Sequence, residues 1–148
     1  MRIYLDACCL NRPFDDLAQE RIQLESDAIL AILARCQAGV WTLVSSEAID
    51  LELNKTRDSG KIKKTLALLS VSTERLTLND AAIKRSVEFQ TKGIKPMDSL
   101  HLAVAEDSQV DVLLTTDDAF LRTVNKTDVS IVVANPVKWF MEVMQNEK

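Results

Sequence analysis

VLLTTDDAFL, residues 112–121, carries the fold in miniature. Val112, Leu113 and Leu114 run on without polar alternation, which is how a strand buried on both faces reads. Two threonines follow, and Asp117 then stands where a helix wants its N-cap, ahead of Ala119, Phe120 and Leu121. A strand that feeds a capped helix is the repeating unit of a parallel sheet, since parallel neighbours can be joined only by a crossover.

The same unit recurs in both directions. Residues 2–5 (RIYL) form a short β-type run ended by Asp6, and apolar residues at helical spacing follow over 18–38, with Gly39 as the stop. Residues 40–44 (VWTLV) predict a second strand, with Ser45-Ser46-Glu47 as the start of a helix over 46–56. A break is expected at Ser59-Gly60, then a helix over 61–69, and a weak strand or link over 74–78. Asn79-Asp80 caps a helix ending at Gly93, and Pro96 fits the first turn of the next one, with Asp98 just inside. Beyond the opening stretch, a strand over 130–133 and a closing helix over 136–145 complete the pattern. Alternating strands and helices predict one α/β domain over residues 1–148 around a parallel sheet covered on both faces.

Composition excludes several functions. The longest uncharged run is residues 36–46, 11 residues, against the roughly 20 a membrane-spanning helix needs. Asp6 interrupts any signal-peptide core at the N-terminus. Three cysteines, Cys8, Cys9 and Cys36, do not make a disulfide framework and suit a reducing cytoplasm. The three glycines, Gly39, Gly60 and Gly93, are too scattered for a P-loop or a dinucleotide turn. Net charge is −4, from 18 basic and 22 acidic residues. Residues 55–64 depart from it: Lys55, Arg57, Lys61, Lys63 and Lys64 stand against Asp58 alone. That run suits phosphate contact and a solvated helix face equally.

In a parallel sheet, ligands gather at the carboxyl ends of the strands. Asp6 directly follows the first strand, Asp117 lies two residues beyond the strand over 112–115, Glu52 lies about two turns into the helix after the second strand, and Asp98 falls in the first turn of its helix. Any one of them reads as a cap. As a set they suggest an acidic site for a divalent cation, because carboxylate oxygens are the hard ligands that Mg²⁺ and Mn²⁺ accept.

Four segments then fall together: IYLDACCL (3–10), VSSEAIDLEL (44–53), KPMDSLHLAVA (95–105) and VLLTTDDAFL. Taken as a set the sequence resembles the PIN domain family, including the VapC-type ribonuclease toxins, from residue 3 to about 133. The resemblance implies a three-layer α/β/α sandwich with a central parallel sheet of four to five strands. It implies an endoribonuclease that hydrolyses RNA with Mg²⁺ or Mn²⁺, and an acidic quartet on Asp6, Glu52, Asp98 and Asp117 converging in one pocket. Ser46 to Glu52 fits the family's serine-to-glutamate spacing better than Glu47 or Asp50 does. An antitoxin protein and a homodimer are the implied partners, in the cytoplasm. The chain departs from the family after Asp6, carrying Ala7 and Cys8 where a hydroxyl residue and then asparagine are usual.

Arg12, Lys55, Lys63 and Lys64 are the expected contacts to RNA, with Arg21 comparable to Arg12, while Trp41, Trp139 and the four phenylalanines read as core. His101, one turn after Asp98, reads as a packed, hydrogen-bonded helix histidine. A Cys–His nucleophile pair with Cys8 or Cys9 is the weaker alternative. Zinc would need paired ligands that the spacing lacks. A haloacid dehalogenase-type phosphatase would want Asp where Cys8 stands, and a receiver domain would want lysine after the last strand, where Ala134-Asn135-Pro136 stands. The alternative to an enzyme is a catalytically weak PIN-like module that binds RNA or a protein partner, which Ala7 and Cys8 favour.

Overall fold

A computed structural model of the chain describes residues 1–147. Five strands, β1 (Arg2–Leu5), β2 (Thr42–Ser46), β3 (Glu74–Leu76), β4 (Val112–Leu114) and β5 (Val132–Ala134), pair in parallel throughout, in the order β3-β2-β1-β4-β5. The helices are α1 (Ala7–Asn11), α2 (Glu20–Gln37), α3 (Glu47–Lys55), α4 (Ser59–Leu69), α5 (Asp80–Thr91), α6 (Pro96–Asp107), α7 (Asp118–Asn125) and α8 (Pro136–Asn146). None of them is long and apolar enough to cross a membrane.

The strand order explains the burial. From β1 the chain winds outward through β2 to β3, then returns to the other side of β1 for β4 and β5. Right-handed crossovers in opposite directions place helices on both faces of the sheet. β1 and β4 are therefore sealed, with Ile3, Tyr4, Leu5, Val112, Leu113 and Leu114 all inaccessible, whereas the edge strands β3 and β5 stay partly open. At about 25 cal/mol per Å² of apolar surface, this sealed centre is the main favourable term in folding. On one face α2 meets α8, where Trp41 stacks edge-on against Trp139 with centroids 5.3 Å apart. On the other, α5 lies along α6.

The reversal of winding occurs at β1, so the carboxyl ends of β1, β2 and β4 open onto the crevice where such sheets bind ligands. Gly39 and Gly93 follow α2 and α5 at φ 79° and 95°, the left-handed conformation that ends a helix cleanly.

Three expectations need correction. No break falls at Ser59-Gly60: these residues open α4, because Asp58 caps it by accepting from the Lys61 N–H at 3.1 Å. The sequence predicts no element between Asp6 and residue 18, yet α1 and a 3₁₀ turn over Arg12–Phe14 lie there. Because that turn points outward, Phe14 is 42% exposed and does not belong to the core. Trp41, Trp139, Phe89 and Phe120 are buried as read.

Candidate active site

Each of the four acidic residues reaches the carboxyl edge for a local reason. Asp6 ends β1 and caps α1, its Oδ1 accepting from the Cys9 N–H at 3.0 Å. Asp117 caps α7, taking the Ala119 and Phe120 N–H groups at 3.0 and 3.1 Å on one oxygen. Asp98 sits in the first turn of α6, behind Pro96. Glu52 projects from α3, where its Oε1 meets His101 Nε2 at 2.7 Å.

The two strand ends are tied together: the Asp6 N–H donates to Leu114 O at 3.2 Å, and the buried Thr115 Oγ1 accepts from the Asp117 N–H at 3.1 Å. Burial nevertheless dominates at Asp6, whose carboxyl is held above the usual range; the bonds from Thr115 and Cys9 offset only part of the desolvation. Asp98 is pushed up to about 6, by burial first and then by the charges of Asp6 and Asp117. The Cys8 thiol is pushed up to about 12 by desolvation and then by Asp6, Asp98, Asp117 and Glu52 in turn. All four acids thus share one electrostatic neighbourhood. Among the described residues, no three His, Cys, Asp or Glu side chains close into a ready cation cage. What the structure brings together is an acidic edge with single oxygens of Asp6, Glu52 and Asp117 already engaged by the protein.

Glu52 opens onto a groove of about 260 Å³ that it shares with Ala7, Cys8, Asn11, Arg12, Asp15 and Lys61. Asn11, Asp15 and Lys61 also line an adjoining cavity of about 300 Å³ that runs out to Phe14 and Lys64. Lys64 stands 5.3 Å from the centre of the Phe14 ring. Lys55, Lys63 and Lys64 are all exposed.

Arg12 faces the groove but is already engaged. Its guanidinium pairs with Asp15 at 3.1 Å, donates to Thr116 Oγ1 at 3.0 Å, and lies 3.2 Å from Glu25 without hydrogen-bond alignment. Arg21 likewise holds Glu25 at 3.2 Å and grips both oxygens of Asp118 at 2.7 Å. Glu25, 1% exposed, accepts in addition from Asn135 Nδ2 at 2.7 Å. This brace holds the turn that presents Asp117. The sequence reading missed it, since no local pattern marks a glutamate in mid-helix as buried.

A model of the PIN domain family matches residues 3–126 of the chain. The chain belongs to the PIN domain family. Such domains are generally nucleases. Among solved structures, the PIN chain is similar to one in VapBC2 from Rickettsia felis bound to a DNA fragment from their promoter, at 18% identity and TM-score 0.60, covering 91% of this chain and 98% of that one. It is also similar to a chain of FitAB bound to the IR36 DNA fragment, at 18% identity and TM-score 0.55 over 91% and 95% of the two chains. VapBC-1 from nontypeable Haemophilus influenzae gives 15% identity and TM-score 0.57 over 92% and 98%. At such identities the likeness is one of fold. No curated protein sequence matches at a significant level.

Proposed function

We propose that this PIN protein, one domain over residues 1–148, is an endoribonuclease that hydrolyses RNA phosphodiesters with Mg²⁺ or Mn²⁺, as the toxin of a cytoplasmic toxin–antitoxin pair. The observation that carries the reading is the placement of Asp6, Glu52, Asp98 and Asp117 at one carboxyl edge of the sheet, where burial and the charges of Asp6 and Asp117 also push the Asp98 carboxyl up to about 6. Carboxylates that raise one another's pKa form a site that a cation stabilises. The donor set fits a hard divalent ion, being all carboxylate oxygen. Asp6, Glu52, Asp98 and Asp117 would hold it. When bound, such an ion lowers the pKa of water and offsets charge developing on the leaving oxygen.

The chain's own residues do the rest. Thr115 holds the Asp117 backbone, the Asp6 N–H is bonded to the end of β4, and the caps of α1 and α7 lock both side chains. Lys55, Lys61, Lys63 and Lys64 supply the positive surface a polyanion needs beside an acidic site, with Arg12 lining the same groove. The likeness to chains of VapBC and FitAB complexes supports an antitoxin partner, and a homodimer is part of the same proposal.

A second reading, a catalytically weak module that binds RNA or a protein, is favoured by Ala7 and by the Cys8 thiol held at about 12, which stand where a hydroxyl and an amide are usual. One assay separates the two: purified protein and a structured RNA, in Mg²⁺, Mn²⁺ or EDTA. Asp6→Asn and Asp117→Asn should each abolish cleavage while leaving a folded protein. Lys63→Ala and Lys64→Ala should each weaken RNA binding and lower its salt slope by about one. Cleavage that survives EDTA or either asparagine removes the proposal, and binding without cleavage under any metal selects the second reading.

A further inference from the structure

Glu52 is held by a buried chain of hydrogen bonds that the acidic quartet does not account for. Ser46 Oγ lies 2.6 Å from Tyr4 Oη, Tyr4 Oη lies 2.6 Å from His101 Nδ1, and His101 Nε2 lies 2.7 Å from Glu52 Oε1. The four residues come from β2, β1, α6 and α3, so the chain crosses the interior from the sheet to the site. Tyr4, Ser46 and His101 are at most 1% exposed, and His101 also meets the Tyr4 ring edge-on.

With one hydrogen on the imidazole, the proton inventory closes in one direction. Ser46 Oγ already accepts from the Ile49 N–H at 3.2 Å, so its own hydrogen is free to go to Tyr4 Oη. The phenol then donates to His101 Nδ1, which leaves the imidazole hydrogen on Nε2, aimed at the Glu52 carboxylate. Every polar atom in the chain is satisfied, in a place where an unpaired one would be costly. A buried hydroxyl, phenol and imidazole could each have been replaced by apolar groups of the same shape if packing were their only duty. Their common endpoint is one oxygen of Glu52. The other oxygen, Oε2, accepts no protein hydrogen bond among the described residues.

We infer that His101 is a positioning residue for Glu52, and that Ser46 and Tyr4 hold the imidazole in the tautomer and orientation this requires. The inference rests on the acidic quartet proposed above. Ligand carboxylates are commonly oriented by such an outer layer, whose loss costs 10–100-fold in metal affinity. Glu52 needs this help more than its partners do. Asp6 and Asp117 are short side chains locked as helix caps, whereas Glu52 has one more rotatable bond and caps nothing.

The test is Mn²⁺ affinity, read from the spectroscopic signal of the free ion, on the parent, Glu52→Gln, His101→Ala, His101→Gln and Tyr4→Phe, each checked for folding by circular dichroism. Glu52→Gln and His101→Ala should both weaken Mn²⁺ by about 10–100-fold. His101→Gln places an amide N–H near the lost Nε2 and should restore affinity to within about threefold of the parent. If His101→Ala does not fold, Tyr4→Phe decides: it keeps the packing, frees the imidazole to turn, and should still weaken Mn²⁺ several-fold. The inference is overturned if Glu52→Gln loses the ion while His101→Ala, or Tyr4→Phe in its place, keeps it within twofold. It is equally overturned if His101→Gln is no better than His101→Ala, since packing would then explain both. A parent that binds no Mn²⁺ removes the acidic site, and this inference with it.

Discussion

Glu52 and Asp117 reach the carboxyl edge of the sheet from different elements and are held there by different means. Behind Glu52 stands a buried hydrogen-bonded chain, Ser46–Tyr4–His101, with contacts of 2.6, 2.6 and 2.7 Å. Behind Asp117 stand charges: Glu25 with Arg12 and Arg21, and Arg21 with Asp118. A chain shut off from solvent depends on geometry and is little screened by salt. An ionic brace depends on each partner neutralising the next, and its outer part, with Arg21 and Asp118 more than half exposed, is screened by salt. The difference teaches how one site can be rigid at its buried side and adjustable at the side facing solvent.

The largest effect should come from the centre of the ionic brace. Glu25→Ala strips Arg12 and Arg21 of a shared counter-charge, and the buried Arg12 Nε, which has no hydrogen-bond partner among the described residues even in the parent, loses its neighbouring carboxylate. Breaking a buried pair from one side costs 3–5 kcal/mol; with Arg21 half exposed, the expected loss is about 3 kcal/mol. Urea unfolding measures it. A loss below about 1 kcal/mol would place Glu25 with ordinary surface pairs and dissolve the contrast.

Tyr4→Phe tests the buried chain. The ring and its packing remain, while Ser46 and His101 each lose a partner, at an expected cost of about 1–2 kcal/mol. The Tyr4 phenol is held far above its ordinary pKa, chiefly by burial, so it stays protonated at any working pH and the cost should not vary with pH through its ionisation. It should also be equal at about 0.05 and about 1 M NaCl, whereas the cost of Asp118→Ala, which removes the exposed pair with Arg21, should shrink at high salt. Equal salt responses from the two variants would mean that the distinction is one of appearance only.

How far the sequence reveals this arrangement follows from how local each signal is. The apolar runs of β1 and β4 are visible because burial on both faces leaves no polar alternation. Asp6, Asp98 and Asp117 sit at strand ends and helix starts, positions that local pattern marks, and Glu52 needed the family spacing from Ser46. The short α1 escaped because five residues are too few to show a period, and Ser59-Gly60 misled because at N1 and N2 a breaker costs little once Asp58 caps the helix. His101 reads correctly as buried and hydrogen-bonded. Its partners could not be read, because Tyr4 lies 97 residues away and only the placement of α6 against β1 and α3 brings them together. Glu25 and its arginines are hidden for the same reason, and Ala7 and Cys8 mark a departure from the family whose effect only the cleavage assay measures.

Asp98 belongs to neither support, and it gives the smallest expected effect and the sharpest sign. It lies in the first turn of α6, where the helix favours a negative charge, yet burial and the charges of Asp6 and Asp117 push its carboxyl up from 3.8 to about 6. A raised carboxyl binds its proton more tightly in the folded chain than in the unfolded one. Its contribution is therefore fully present below about pH 4 and is lost as pH rises through about 6. In EDTA, Asp98→Asn should match the parent below about pH 4 and exceed it above about pH 6. The margin should be about 1 kcal/mol, well under the full conversion of the shift because the side chain is partly solvated. Urea midpoints across that range check it. With Mn²⁺ present the order should reverse, since the parent gains stabilisation by binding the ion to its folded state and the variant has lost one of the oxygens that would hold it. Parallel curves for parent and variant in EDTA would mean that Asp98 does not feel its acidic neighbours, and the coupling on which the cation site rests would be gone.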